Sequence, residues 1–155
     1  SAHPDKSLHG QGNVARLSGS TAEFVHLWMF MNAGIAPFGL DQDGKLTLAF
    51  APALKSDLFA KQKTTALYRT LSGQWVNLDL PADTYAFNFM GRTLVVYHNP
   101  LRRDTFGPKK VLAKHTVLSY AGGKKTHEVS GGIIPSPFAE DIRAGKVERI
   151  DIQLG

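Results

Sequence analysis

Apolar residues near the start of the chain form one almost continuous run, from Phe24 to Met31, in which His26 is the main polar interruption. Placed at 100° steps, these side chains surround a helix on nearly all sides, and such a helix is normally buried all round. A small β domain can cover one face of it. We therefore expect the remaining faces to pack on a partner subunit or on a preceding domain.

The ends of this helix carry local signals. Ser20 and Glu23 have the spacing of a capping box, in which each side chain bonds the other residue's amide, so the helix is expected to begin near Thr21. Gly34 predicts the end of the helix at about Ala33, because glycine adopts the left-handed conformation of a C-terminal cap most easily.

After Pro37 the pattern changes to a period of two, which is typical of strands. Glycine-containing turns between alternating segments predict three hairpins. A short helix with Ser136 as its N-cap is expected near the C-terminus. The predicted strands are 45–50, 65–71, 75–80, 84–89, 93–98, 114–120, 124–129 and 147–154.

The strand spacing favours a mainly β fold, an antiparallel β-sandwich of jelly-roll-like form with one apolar N-terminal helix and a short helix near the C-terminus. We divide the chain into residues 1–35, an N-terminal extension with the apolar helix, and residues 36–155, the β-sandwich domain.

Composition narrows the class of protein. The 43% apolar and 20% charged residues are usual for a soluble globular chain, and the longest apolar run is too short to span a bilayer, so no membrane span is expected. The net charge of +5 comes from scattered basic residues that fall in predicted turns. No basic stripe is interleaved with aromatic residues, so we predict no nucleic-acid partner.

The absence of cysteine excludes disulfides, thiol nucleophiles and thiolate metal sites. None of the six histidines has a partner three or four residues away, so a metal site is not predicted. We identify no catalytic residue and no cofactor. The sequence does not fix the compartment, although a bacterial cytoplasm is the location we favour.

A candidate anion site lies before the apolar helix, at Ser18, Gly19 and Ser20, with Arg16 adding positive charge. Free amides and the positive end of the helix dipole point at the same place there. The alternative is that Ser20 only caps the helix and Gly19 only makes a turn.

A second candidate is the polar loop that contains His98, Asn99, Arg102 and Arg103. Such a loop after a strand can bind a sugar or hold a domain interface. The alternative is a β-turn with Asn99 and Pro100 in their usual positions and with solvated arginines.

Three stretches resemble the C-terminal part of the cellobiose phosphorylase-like glycoside phosphorylases. They are Ala15-Arg16-Leu17-Ser18-Gly19-Ser20-Thr21-Ala22-Glu23-Phe24, Thr93-Leu94-Val95-Val96-Tyr97-His98-Asn99-Pro100 and Arg103-Asp104-Thr105-Phe106-Gly107. In that group a barrel of paired helices carries the active site, and a C-terminal jelly-roll-like domain packs against it. The resemblance implies that residues 21–33 are the last barrel helix and that residues 36–155 are the β domain.

The resemblance also implies a role for the candidate anion site. In the family, a Thr-Gly turn before a late barrel helix helps to hold the attacking inorganic phosphate, and Ser18 and Gly19 occupy the matching positions, with serine in place of threonine. Inorganic phosphate would then be a co-substrate and an oligosaccharide the substrate. The family's general acid belongs to the barrel, so this chain has no complete active site, and hydrolase or glycosyltransferase activity of the whole enzyme stays open.

Three functions are therefore carried forward. The first is a C-terminal domain that supports the helical barrel of a carbohydrate-active enzyme. The second is a free-standing carbohydrate-binding module that uses Trp75, Tyr85 or Tyr97 on a sheet face. The third is a homo-oligomer whose apolar helices pair with each other.

Overall fold

A computed structural model describes residues 4–9, 17–122 and 125–155 of the chain. Short 3-10 helices occur at Lys6–Leu8 and Ser56–Leu58. The helices and strands are α1 (Leu17–Ala33), β1 (Phe38–Leu40), β2 (Leu46–Ala49), β3 (Thr64–Arg69), β4 (Trp75–Leu80), β5 (Thr84–Phe89), β6 (Thr93–His98), β7 (Ala113–Tyr120), β8 (Thr126–Ser130), β9 (Ile133–Ile134), α2 (Phe138–Arg143) and β10 (Val147–Leu154). The predicted mainly β, sandwich-like fold with two helices is confirmed.

The strands form three sheets: β1-β2-β9, β5-β6-β10-β7-β8 and the hairpin β3-β4. All three predicted hairpins are present, as β3-β4, β5-β6 and β7-β8. The closing strand β10 lies between β6 and β7, antiparallel to β7 but parallel to β6, so the large sheet is mixed. Local patterns did not predict this parallel pair, because it joins segments about 50 residues apart.

The five-stranded sheet is covered on both faces at β6. Val95 and Tyr97 belong to the main core, which lies between this sheet, the three-stranded sheet and α2. Leu94 and Val96 belong to a second cluster on the other face, beneath the β3-β4 hairpin. Because successive side chains of a strand point to opposite faces, this double cover explains why β6 is apolar without alternation.

Helix α1 begins at Leu17, four residues before the predicted start, so the prediction that Ser20 is the N-cap is wrong. Gly19 and Ser20 are helical residues, and the cost of about 1 kcal/mol or less that each carries in a helix does not stop α1 from extending over them. The predicted end is confirmed, since α1 stops at Ala33 and Gly34 has φ +94°.

Helix α2 also begins differently from the prediction. Pro137, not Ser136, occupies the N-cap position, and its side chain makes no capping hydrogen bond. The amides of Phe138 and Ala139 both donate to the carbonyl of Pro135, so the backbone satisfies first-turn donors that a serine cap was expected to serve.

The β domain holds α1 by its last turn. Ala51 N donates to Ala33 O (3.1 Å), and Ala53 N donates to Met31 O (2.8 Å). Asn32 and Ala33 are buried, and Trp28 makes an edge contact with Phe87. The domain therefore covers mainly the end of α1, whereas the sequence led us to expect that it could cover one face of the helix.

Candidate functional site

The candidate anion residues lie in the first turn of α1. Ser18, Gly19 and Ser20 are all within the helix, so they form its N-terminal turn and not a separate turn before it. Arg16 lies outside the described residues. The amides of a helical first turn have no partners within the helix. The proposed anion-binding role of these residues therefore stays a prediction, now placed on the first turn itself.

His98 lies apart from the rest of its predicted loop, in a charged cluster on the outer face of the large sheet. His98 Nε2 is 2.7 Å from Asp151 Oδ1, and Arg149 Nε donates to Asp151 Oδ2 at 2.6 Å. Burial raises the pKa of the Asp151 carboxyl. The hydrogen bonds from His98 and Arg149, together with their charges, lower this pKa by a larger amount, so the pKa lies below its usual value. The cluster links side chains of β6 and β10, so His98 has a structural partner within the fold.

Asn99 and Arg102 also have structural partners. Asn99 is fully buried, and its Nδ2 donates to Arg103 O (2.7 Å), while Arg102 N closes a turn on Asn99 O (3.0 Å). Arg102 Nη1 forms an ion pair with Asp83. The β-turn alternative is therefore the arrangement found for Asn99 and Pro100, although Arg102 is paired with a carboxylate instead of being only solvated.

Arg103 is the residue of this loop that borders a surface depression. The depression, which we name the outer lobe, has a volume of about 710 Å³ and is lined by Ser56, Arg103, Asp104, Phe106, Gly107, Pro108 and Lys109. Asp104 Oδ1 accepts the amide of Ser56 at 2.8 Å, which fixes the carboxylate at one edge. The side chains of Arg103 and Lys109 are exposed.

A smaller depression of about 300 Å³, the inner lobe, adjoins the outer lobe at Phe106 and Gly107. Its wall includes Phe50, Pro52, Val111 and Leu154, and Lys110 also borders it. Both lobes together are called the cleft below. Sequence reasoning included Arg103 but missed Phe106, Lys109 and Lys110, although the Lys109-Lys110 pair beside Gly107-Pro108 was a visible signal of basic residues in a loop.

The aromatic residues suggested for sugar stacking do not form a row. Tyr97 is fully buried in the main core, and Tyr85 packs on Phe59. Trp75 alone of the three is exposed, on the outer surface of the β3-β4 hairpin. A stacking platform needs several exposed rings on one face. The structure therefore does not provide the platform that the carbohydrate-binding alternative required of these residues.

Helix α1 exposes an extended apolar surface. Seven consecutive or nearly consecutive apolar side chains are exposed, from 71% at Phe24 to 39% at Met29: Phe24, Val25, Leu27, Trp28, Met29, Phe30 and Met31. A groove of about 620 Å³ runs along one side of this helix. Contiguous exposed apolar surface of this kind marks an interaction site in natural proteins.

Metal-binding clusters and membrane-spanning helices are both absent from the described ranges. Within them, no group of three or more histidine or acidic side chains is placed to hold a metal ion. No helix in the same ranges is both long and apolar enough to cross a membrane.

Comparison with known proteins adds no relative. No family model matches the chain, and no curated protein matches it.

Proposed function

We propose that this chain is the C-terminal β domain, together with the last barrel helix, of a carbohydrate-active enzyme of the glycoside phosphorylase type. The observation that carries the proposal is the exposed apolar surface of α1, which the β domain contacts at its last turn and at Trp28. A helix with this pattern is stable in water only when another apolar surface covers it.

The distribution of side chains round α1 indicates what kind of surface covers it. Phe24, Val25 and Phe30 are exposed, and at 100° per residue they lie about 100 to 140° apart round the axis. One flat partner surface cannot contact all three. Neighbouring elements on at least two sides of α1 can contact all three side chains. A barrel of paired helices would provide such neighbours for its last helix.

The resemblance agrees with this placement. It assigns residues 21–33 to the barrel and the following residues to the β domain, and α1 ends at Ala33. The same resemblance places Ser18 and Gly19 at a phosphate-binding turn. Their position in the first turn of α1 supports that role, because first-turn amides and the helix dipole favour an anion. The enzyme's oligosaccharide substrate and its general acid would belong to the barrel side of the site.

The first test is the mass of the natural gene product, detected in source cells under denaturing conditions with an antibody against this domain. A product several times larger than 16.9 kDa supports the proposal. A product of 16.9 kDa contradicts it and leaves the homo-oligomer, which concentration-dependent sedimentation of the chain would reveal.

The second test compares two exposed apolar side chains in that natural product. Phe24 on α1 is 71% exposed and Leu67 on the hairpin is 65% exposed. We expect Phe24→Ser to lower the free energy of unfolding of the natural product by about 2 kcal/mol, the value of burying one large apolar side chain. Leu67→Ser is the matched control and should change little. Equal effects of the two substitutions would contradict docking through α1.

The third test concerns the phosphate. Ser18→Ala removes a hydroxyl donor beside the first-turn amides, so in the natural product it should raise the KM for inorganic phosphate in a phosphorolysis assay, while Ser72→Ala in the β3-β4 turn should not. An unchanged KM with Ser18→Ala would exclude the Ser18 hydroxyl as a phosphate ligand and leave the docking role standing.

A further inference from the structure

We propose that the cleft of the inner and outer lobes is a binding site for a small organic anion with an apolar body, such as an aryl phosphate ester. This site is separate from Ser18, Gly19 and Ser20 of α1, and the argument for it does not rest on the proposed function. The proposal is based on the charge of the outer lobe, the lining of the inner lobe and the position of Phe106 between them.

The cleft has three basic side chains, Arg103 and Lys109 in the outer lobe and Lys110 at the border of the inner lobe. Within the described ranges, the side chains of Arg103, Lys109 and Lys110 form no salt bridge, although carboxylates elsewhere in the fold pair with Lys63, Arg102, Lys146 and Arg149. The one carboxylate that lines the cleft in these ranges, Asp104, is held by the amide of Ser56. The cleft therefore has an excess of positive charge, and guanidinium and ammonium groups prefer phosphate or carboxylate partners.

The inner lobe is apolar because its polar groups are already satisfied. Thr105 Oγ1 accepts the amide of Leu54 and donates to Pro52 O, each at 2.7 Å. The Tyr97 hydroxyl donates to the carbonyl of Asn32 at 2.6 Å, so its proton is not free for a ligand. A ligand can therefore contact only the apolar wall of the inner lobe. The volume of this lobe, about 300 Å³, accommodates a ring-sized group.

Phe106 joins the two halves of the proposed site. It lines both lobes and is exposed. A ring of the ligand can pack against it while the anionic group reaches Arg103 and Lys109. This arrangement favours a ligand with an anion next to a ring over either part alone.

The test is calorimetric titration of the 155-residue chain with phenyl phosphate, inorganic phosphate and phenol. We expect phenyl phosphate to bind at least about tenfold more tightly than the other two. Arg103→Ala should weaken phenyl phosphate binding by about tenfold, because it removes a charge-assisted contact. Lys45→Ala, at an exposed turn away from the cleft, is the control and should bind as the unaltered chain does.

A second substitution tests the inner lobe. Ala53 lines it, and Ala53→Leu should reduce the affinity for phenyl phosphate while leaving that for inorganic phosphate unchanged. Ala82→Leu, at an exposed position outside the cleft, is the matched control. If Arg103→Ala does not fold, Lys109→Ala replaces it. Equal affinities for phenyl phosphate and inorganic phosphate, no measurable binding, or equal effects of the cleft and control substitutions would each overturn the proposal.

Discussion

The hydroxyl of Tyr97 donates a 2.6 Å hydrogen bond to the backbone carbonyl of Asn32. The bond joins the central strand β6 to the last turn of α1, where both residues are fully or almost fully buried. Asn32 also donates from Nδ2 to Trp28 O (2.7 Å), while its Oδ1 has no partner within the described part of the chain. This contact adds to the backbone hydrogen bonds of Ala51 and Ala53 that hold the last turn of α1 on the β domain.

Tyr97→Phe removes this contact with little change in shape. The Asn32 carbonyl then loses a buried partner, and leaving such a group unsatisfied costs about 1 to 3 kcal/mol. We expect the free energy of unfolding in urea to fall by that amount. The pKa of the Tyr97 hydroxyl is well above its usual value because burial disfavours the phenolate, so the donor is neutral at pH 7.

Tyr68→Phe is the comparison for this substitution. The Tyr68 hydroxyl also donates to a backbone carbonyl, that of Glu148, but at 3.2 Å and in a partly buried place. The loss of stability should therefore be smaller than for Tyr97→Phe. A Tyr97→Phe protein as stable as the Tyr68→Phe protein would show that the helix is held by other contacts.

Gly34 ends α1 under two constraints. Its φ of +94° is costly for other residues, and a Cβ placed there would lie 3.1 Å from both the Cβ and the carbonyl oxygen of Ala51. A left-handed backbone alone costs about 1 to 2 kcal/mol. We expect Gly34→Ala to lower the free energy of unfolding by more than that, as measured by urea denaturation.

Gly44→Ala separates the two constraints. Gly44 has φ +74°, but no atom lies within 4 Å of the place that a Cβ would occupy. This substitution should therefore show the backbone cost alone. If both alanine variants lose the same stability, the close approach of Ala51 to Gly34 has no energetic consequence.

The hairpins were predictable because each is encoded locally. The segments flanking Gly73, Gly91 and Gly122 alternate or carry β-branched residues, and all three glycines have positive φ in the structure. The pattern at residues 147–154 also matches β10 in full. Where the hydrophobic periodicity, the turn residues and the strand propensity of a short segment agree, contacts with the rest of the chain rarely change its secondary structure.

The remaining features depend on contacts between distant parts of the chain. The insertion of β10 beside β6 pairs Ile150 with Val95, and no local signal specifies that neighbour. The cleft brings Ser56 to Asp104 through one hydrogen bond across 48 residues. The start of α1 was missed for another reason, since the spacing of the expected capping box is equally compatible with a helix that continues through it.

Because of Asp151, the free energy of unfolding should decrease at acid pH. Its pKa is lowered from 3.8 in the folded chain, because the bonds from His98 and Arg149 outweigh burial. A carboxyl whose pKa is lowered by folding stabilises the fold at any pH above its unfolded pKa. This stabilisation is lost as the pH falls through its folded pKa. Asp151→Asn should therefore cost about 1 to 3 kcal/mol at pH 7, and the difference from the unaltered chain should narrow below pH 3.8.

Asp79→Asn is the control for this effect. Asp79 pairs with Lys63 on the hairpin, and its pKa is lowered too, but both side chains are largely exposed and solvent screens the pair. Urea denaturation at pH 7 and pH 3 should show a much smaller change for it. Equal losses in the two variants would mean that the outer-face cluster adds nothing beyond a surface ion pair.

Tyr120 is expected to ionise at unusually high pH. Burial, the hydrogen bond from its hydroxyl to Asp141 Oδ2 (2.9 Å) and the Asp141 charge raise the pKa of Tyr120 to about 12. Asp141→Asn removes the charge, so the pKa should fall towards the usual value of 10.0, as followed by ultraviolet absorbance of tyrosinate. Glu140→Gln, on the same turn of α2, is the matched control and should leave the pKa unchanged.

The raised pKa of Tyr120 also predicts how the free energy of unfolding changes at alkaline pH. A raised pKa stabilises the fold below the unfolded value of 10.0 and loses that contribution as the pH rises through about 12. Unfolding of the unaltered chain should therefore become easier across this range, and Tyr120→Phe should weaken the dependence, because position 120 then has no ionisable group while the other three tyrosines still ionise. A stability profile between pH 10 and 12 that is the same with and without the Tyr120 hydroxyl would show that the Tyr120 and Asp141 bond does not couple folding to ionisation.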